Sequence, residues 1–385
     1  MKDFLQKIYG RFSNDIGIDL GTANTLVYLA GKGIVVNEPS VVAVNEKTGR
    51  VVAVGREAKE MLGRTPAHIK AVRPLVDGVI SDFEVTEEMI SYLVRKAEEF
   101  SKKTLGPRVV VGVPSGVTNV EVRAVRDATR NAGAREVYIV EEPMAGAIGI
   151  RLPIHEPIGS MIIDIGGGTT DIAVISLGGI VRSKNIKIAG DKLNNDIISY
   201  IRNEFKILIG EKTAEEIKIA VGAVMPREAL ETPIRGRDLI TGLPREVIIT
   251  DSDIREAIGP SIDILVEATR EVLETTPPEI LSDVMRRGAY LVGGGALIKG
   301  IDELISHTLQ IPVHIADDPL TALDNVILTP HWLPSTHRAV RLIGTAMGDG
   351  ILRAARGQVP ENVVNPGVLK RPGFRSKLER FAVNC

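Results

Sequence analysis

Cysteine is nearly absent: Cys385 is the single one in 385 residues. No intrachain disulfide can form, and no Cys/His cluster has the spacing of a zinc site. A charge excess of either sign is missing too, since 47 Lys plus Arg stand against 49 Asp plus Glu for a formal net charge of −2. That balance gives no general drive toward nucleic acid. There is no run of about 18 uncharged apolar residues, and the first residues lack the continuous apolar stretch of a cleavable signal. A cytoplasmic protein is expected. The signature G-x-x-x-x-G-K-[ST] occurs nowhere, and no G-x-G-x-x-G follows a first βα strand, so neither the Walker nor the dinucleotide-binding arrangement is expected.

What is present is an ordinary folded composition, 44% apolar and 25% charged, on a chain long enough for two or more domains. Two stretches share one form. "DIGIDLGTANTLVYLAGKGIVV" and "MIIDIGGGTTDIAVISLGGIV" are each an apolar strand containing an Asp, then a Gly-Thr turn, then a second apolar strand. Around the first, strand-like runs at 15–20, 25–30, 33–37, 40–44 and 51–54 suggest an antiparallel meander. A helix follows over 87–100 with Thr86 placed to cap it, then the buried strand "RVVVGVPSG". A helix running to about 131 is marked by Thr118 and Glu121 at capping-box spacing, and the strand "EVYIVEEP" comes next. After residue 158 the pattern restarts with hairpin strands, a helix over 191–207, a smaller insert, and helices near 252–272 and 277–286 leading to "GAYLVGG". The expected fold is α/β, two duplicated domains facing each other.

The hairpins carry a specific chemistry. A tight glycine turn gathers backbone N–H groups into an anion-binding nest. Gly21, Thr22, Ala23 and Asn24 are expected to cradle one side of a phosphate chain, and Gly166, Gly167, Gly168 and Thr169 the other. Asp19 and Asp164 repel phosphate, so they suit the water shell of a divalent cation, most simply Mg²⁺. The third cluster, "LVGGGALIKGIDELI", ends a strand and is read as opening a helix, with Gly293, Gly294 and Gly295 allowing close approach of a base or ribose. Glu141 and Glu142 end a strand beside Pro143, where one of them can orient a water toward a γ-phosphate. Together these features predict an ATPase clamp between two domains.

These motifs resemble the actin, sugar-kinase and heat-shock-chaperone ATPases, and within them the bacterial actin homologues of the MreB family. The resemblance covers about residues 12–321 and rests on "DIGIDLGTANTLVY", "RPLVDGVISDFEVTE", "VVVGVPSGVT", "VEEPMAGAIG", "DIGGGTTDIAVISLGGIV", "ETPIRGRDLITGLP" and "GGGALIKGIDELI". It implies an actin-like ATPase fold with domains at 15–157 and 158–321, each with a smaller subdomain, near 33–75 and 210–250. Asp19 with the 21–24 turn is implied as the first phosphate element and Asp164 through Thr170 as the second, with Glu142 as the water-positioning carboxylate and Thr169 near the γ-phosphate. Gly190 and Asp191 would flank the cleft, Glu215 and Lys218 would approach the ribose or adenine, and Gly293 to Leu297, through Ala296, would hold the nucleoside. ATP and Mg²⁺ are the implied cofactors. Implied partners are further copies in a double protofilament, inner-membrane lipids, and membrane shape proteins like MreC, MreD and RodZ. The implied role is to organise side-wall peptidoglycan synthesis and maintain rod shape. The alternatives are a monomeric actin-fold sugar or acetate kinase, or a relative that does not polymerise.

Both ends of the chain are distinctive. In a helix, Met1, Phe4, Leu5, Ile8 and Phe12 form an apolar stripe flanked by Lys2, Lys7 and Arg11, so residues 1–14 are expected to bind the membrane surface, the alternatives being a frayed terminus or a helix packed on its own domain. The tail, 322–385, departs from the family pattern. Its "NVILTPH" resembles the end of a D-2-hydroxyacid dehydrogenase, in which His331 would be the acid/base residue. With no dehydrogenase nucleotide fingerprint in the chain, His331 is read as an incidental turn residue. Val340, Ile343, Met347, Ile351 and Ala354 predict a helix near 336–356.

Overall fold

The structure, a computed structural model, describes residues 13–62, 65–66, 68–76, 78–101, 105–226, 229–317 and 319. Residues 1–12 of the predicted membrane-binding segment 1–14, the tail from 322 with His331, and the helix near 336–356 lie outside the described residues, while Ser13 and Asn14 are buried in the first strand rather than in that segment.

In chain order the first half runs β1 (Ser13–Leu20), β2 (Asn24–Leu29), β3 (Gly33–Pro39), β4 (Val42–Asn45), β5 (Val51–Val54), α1 (Arg56–Met61), β6 (Ile69–Val72), β7 (Leu75–Val76), β8 (Val79–Ile80), α2 (Phe83–Glu98), β9 (Leu105–Val113), α3 (Asn119–Asn131), β10 (Glu136–Glu141) and α4 (Glu142–Gly149). The second half runs β11 (Ser160–Ile165), β12 (Thr170–Ser176), β13 (Gly179–Ile186), α5 (Gly190–Glu204), β14 (Ile207–Leu208), α6 (Glu211–Val221), β15 (Glu231–Asp238), β16 (Pro244–Thr250), α7 (Asp251–Glu274), α8 (Pro278–Arg287), β17 (Ala289–Val292), a 3₁₀ turn (Gly294–Leu297), α9 (Ile301–Leu309) and β18 (Val313–Ile315).

Short glycine turns leave a strand no choice but to return antiparallel, whereas a helical crossover brings the next strand back parallel. Both halves follow that rule in the same way. The first large sheet has the order β3, β2, β1, β9, β10 and the second β13, β12, β11, β17, β18. In each, the three leading strands are antiparallel and the last two join in parallel. The repeat visible in the sequence is therefore a repeat of topology. Two smaller three-stranded sheets, β5, β4, β6 and β14, β15, β16, are the inserts.

Side-chain alternation along the central strands decides what faces the gap. All six residues of β11 are buried. Met161, Ile163 and Ile165 enter a core with Leu193, Ile197 and Ile201 of α5 and Ile258, Ile262 and Leu265 of α7. Ile162 points the other way, onto Ala147 of α4 and Ala173 and Ile175 of β12. Each such isoleucine contributes roughly 1.5–3 kcal/mol by leaving water. Asp164 shares the face of Ile162 and sits near the carboxyl end of the strand. In β1 the same parity sends Ile16, Ile18 and Leu20 into the first core with Val109, Val111 and Leu93, and puts Asp19 on the opposite face.

Two local expectations change. The helix read at 87–100 starts earlier: α2 is capped by Asp82, whose Oδ1 accepts the Val85 N–H at 3.1 Å. Thr86 lies inside the helix, its hydroxyl donating to the carbonyl of Asp82 at 2.6 Å, with that of Pro74 at 3.3 Å. The third glycine cluster does not open an α-helix either. It forms the 3₁₀ turn, and α9 begins only after Gly300, which takes a left-handed conformation. The capping box of Thr118 and Glu121 on α3 is formed as expected.

Candidate functional site

Ligands of open α/β sheets collect beyond the carboxyl ends of parallel strands, where side chains and turns converge without blocking the sheet. The sequence-selected residues cluster at those ends. Asp19 is near the end of β1, paired in register with Gly112 of β9. Glu142 follows directly on β10 and opens α4, with Pro143 in its first turn. Asp164 stands near the end of β11, opposite Val292 of β17 on one side and Asp171 of β12 on the other.

The two phosphate-type hairpins touch. A methyl group added at Gly167 would overlap the Ala23 side chain and lie 3.1 Å from the Ala23 nitrogen. One added at Gly168 would stand 2.6 Å from Thr22 Oγ1 and 2.8 Å from Thr22 Cβ and Cγ2. Only hydrogen fits at both places, so the glycines serve the close approach of one turn to the other. Thr22 Oγ1 in turn accepts the N–H of Gly78 at 3.0 Å, and Gly78 is held against Pro114 and the Thr169 methyl. The first turn is braced from outside by Ser40, whose hydroxyl donates to the Gly21 carbonyl at 2.5 Å and lies 2.9 Å from Thr25 Oγ1. Asn24 is exposed and begins β2.

The second turn has structural duties of its own. Gly166 N–H donates to the Thr169 carbonyl at 2.9 Å, while the carbonyls of Gly166 and Gly167 accept the N–H groups of Gly190 and Asp191 at 3.1 and 2.8 Å. The turn is thereby seated on the start of α5, whose first N–H groups need acceptors. Lys218 of α6 donates to the Gly190 carbonyl at 3.0 Å, and burial pushes its amine below the ordinary lysine range. Glu215 pairs with Lys59 of α1 at 3.3 Å. Arg73, between β6 and β7, bonds Asp191 at 2.8 Å and also pairs with Glu211. Lys59–Glu215 and Arg73–Glu211 join the two inserts, and Arg73–Asp191 ties the first insert to α5. Gly293 and Gly295 face inward: a methyl at Gly293 would lie 2.5 Å from Asp164 Oδ1, and one at Gly295 would overlap the Ile165 side chain. Their first duty is packing on β11. Ala296 is buried, and Leu297 is exposed.

The electrostatics are those of crowded carboxylates. Glu142, packed over Gly112, is held well above the usual carboxylate range, first by loss of solvent and then by the negative charge of Asp19, Asp171 and Asp164. Burial, with Asp171 beside it, raises Asp164 to about 7. Asp171 is raised to about 6 mainly by burial, against hydrogen bonds that favour its ionised form. Such a group of hard oxygen donors favours a dication that offsets their repulsion. Among the described residues no three His, Cys, Asp or Glu side chains converge closely enough to ligate an ion directly. Asp171 was not selected from the sequence, although a lone acid in the otherwise apolar "DIAVIS" was the available signal.

Paired sheets of one topology, with an acid-bearing glycine hairpin from each packed against the other, define the actin-like ATPase fold. The family described as MreB/Mbl protein matches residues 13–327. The cell shape-determining protein Mbl of Bacillus cereus is 50% identical over 313 residues, covering 80% of this chain and 93% of the relative. The cell shape-determining protein MreB of Escherichia coli is 49% identical over 324 residues, covering 83% and 93%. Among solved structures, MreB5 of Spiroplasma citri bound to ADP aligns with a TM-score of 0.78 at 38% identity, over 88% of this chain and 98% of that one. A MamK double helical filament aligns with a TM-score of 0.71 at 22% identity, over 82% and 98%, a likeness of fold alone. The chain belongs to the MreB/Mbl family.

Proposed function

We propose that this chain binds and hydrolyses ATP with Mg²⁺ and assembles into double filaments on the inner face of the cell membrane, where it organises side-wall peptidoglycan synthesis and maintains rod shape. The contact between the two hairpins carries the proposal: Gly167 against Ala23 and Gly168 against Thr22 bring two anion-binding turns to one point. In this reading the N–H groups of the 21–24 and 167–169 turns surround the β- and γ-phosphates. Asp19 and Asp164 hold the waters of Mg²⁺, which supplies neutralisation of phosphate charge. Glu142 orients the attacking water, its affinity for a proton raised by burial and by the charges of Asp19, Asp171 and Asp164. Thr169 stands beside the γ-phosphate, Gly190, Asp191, Glu215 and Lys218 border the nucleoside end, and residues 293–297 back it from the other side. The domain boundaries near 157 and 321 follow from the same reading.

Membrane attachment rests on the apolar stripe of Met1 to Phe12 with its flanking cations, and among the described residues no helix is long and apolar enough to cross a bilayer. The role in cell shape rests on relatives named as cell shape-determining proteins. MreC-, MreD- and RodZ-like proteins are the partners this role implies.

The test is co-sedimentation of the full chain at micromolar concentration with ATP, Mg²⁺ and anionic vesicles, with phosphate release followed in parallel. Nucleotide-dependent pelleting and phosphate release, both abolished by chelating Mg²⁺, are expected. A chain that neither binds ATP nor pellets refutes the proposal.

A further inference from the structure

We propose that Asp171 is a positioning residue for ATP hydrolysis: its carboxylate ties the turn after β9 to the second glycine hairpin and so fixes the distance between Glu142 and Thr169. The inference rests on the function proposed above.

Asp171 is 1% exposed, and both of its oxygens are engaged. Oδ1 accepts the Ser115 N–H at 2.7 Å and Oδ2 the Asn185 side-chain amide at 2.9 Å. The partners belong to different halves of the chain. Ser115 follows β9 of the first sheet, whereas Asn185 lies on β13 of the second, directly opposite Asp171 in the register. A buried carboxylate with two N–H donors is a strong and directional link, and replacing it by a group without acceptors leaves the Ser115 N–H orphaned.

The link closes a ring. Gly168 abuts Thr22, Thr22 accepts from Gly78, Gly78 abuts Pro114, and the next residue, Ser115, returns to Asp171 in the same hairpin as Gly168. Glu142 rests on Gly112, three positions before Ser115 on the same strand and turn. Glu142 is therefore carried by the first half and Thr169 by the second. Asp171 is the charged member that joins them on the side of Glu142. The ring also holds charges together, because Asp19, Asp171 and Asp164 all press on Glu142, and Asp171 on Asp164. A slip of about 1 Å between a catalytic group and its target is enough to lower a rate about 10²-fold, while the phosphate turns remain able to bind.

The experiment compares D171A, D171N and N185A in the full chain, measuring kcat and KM for Mg-ATP together with affinity for a fluorescent ATP analogue. D171A is expected to lower kcat by about 10- to 100-fold with KM and affinity within about threefold. D171N keeps an oxygen for the Ser115 N–H, and Asn185 can turn its carbonyl toward the new amide, so D171N is expected to recover kcat to within about threefold of the wild type. N185A removes one restraint and is expected to fall between the two. D171N as slow as D171A would show that charge, not the link, matters, and would overturn the proposal. Unchanged kcat in D171A or N185A, or a rise in KM at constant kcat, overturns it equally. If D171A does not fold, the pair N185A and D171N decides by the same criteria. A wild-type chain that neither binds nor hydrolyses ATP defeats the proposed function instead.

Discussion

Gly168→Ala separates fold from function, because the added methyl has nowhere to go except into the neighbouring hairpin. It would meet three atoms of Thr22, at 2.6, 2.8 and 2.8 Å, whereas carbon atoms rest about 3.5–4.0 Å apart. Thr22 is buried and its hydroxyl is held by Gly78, so it cannot swing aside without breaking that bond. Relief requires the two turns to part by somewhat under about 1 Å. Overpacking of this size costs about 1–3 kcal/mol, within the roughly 5–15 kcal/mol by which domains are stable, so the variant is expected to fold. A displacement near 1 Å between reacting groups is costly at about 10²-fold in rate. The variant should therefore melt a few degrees lower and hydrolyse ATP about 10²-fold more slowly, read by thermal denaturation and phosphate release. The control is Gly179→Ala at the exposed start of β13, where the nearest atom to an added methyl is the Ser176 carbonyl oxygen at 3.9 Å, so melting temperature and hydrolysis should stay close to wild type. Wild-type hydrolysis in Gly168→Ala alongside a lowered melting temperature would refute the reasoning, since the turn contact would then be structural only.

Three further outcomes are expected. Glu142→Gln should slow hydrolysis by roughly 10² or more while leaving affinity for a fluorescent ATP analogue nearly unchanged; equal losses in both would point to a binding role. Asp164, raised from 3.8 to about 7 by burial and by Asp171, binds its proton more tightly folded than unfolded, so its contribution to stability is present at low pH and is lost as pH rises through 7. Of about 4 kcal/mol in all, about 2 kcal/mol should disappear between pH 5.5 and 8 in nucleotide-free protein, and Asp164→Asn should flatten that slope in urea titrations. Arg73→Ala removes two ion pairs between the halves, one to Asp191 of α5 and one to Glu211 of the second insert. With exposed pairs worth about 0.2–1 kcal/mol each, nucleotide release in a chase experiment should quicken by about fivefold at low ionic strength, with the difference shrinking near 1 M salt.

The hairpins were legible because acid, glycine and threonine at fixed offsets are rare inside apolar strands, and the register of β1 with β2 and of β11 with β12 follows from two-residue alternation. The duplicated topology followed from the order of hairpins and crossovers. What escaped depended on distant neighbours. Asp82 and Thr86 are both capping types, and the choice fell to Asp82 while Thr86 bonds its carbonyl from inside the helix with Pro74 nearby. Gly293 and Gly295 read as a nucleoside platform at a helix start, yet their smallness answers to Asp164 and Ile165 on the neighbouring strand. Asp171 is the instructive omission. A hairpin that pairs Ile165 with Thr170 must set Asp164 opposite Asp171, so its position could have been counted from the turn, but the Ser115 N–H that it accepts belongs to the other sheet.

The equivalence of the two sheets has a mechanical consequence. Each half furnishes one acid-bearing glycine hairpin and the first adds Glu142, so under the proposed function the seam between the halves is itself the reaction vessel. On that function, a tilt of one half against the other would reshape the vessel, and chemistry and conformation would be two readings of a single coordinate.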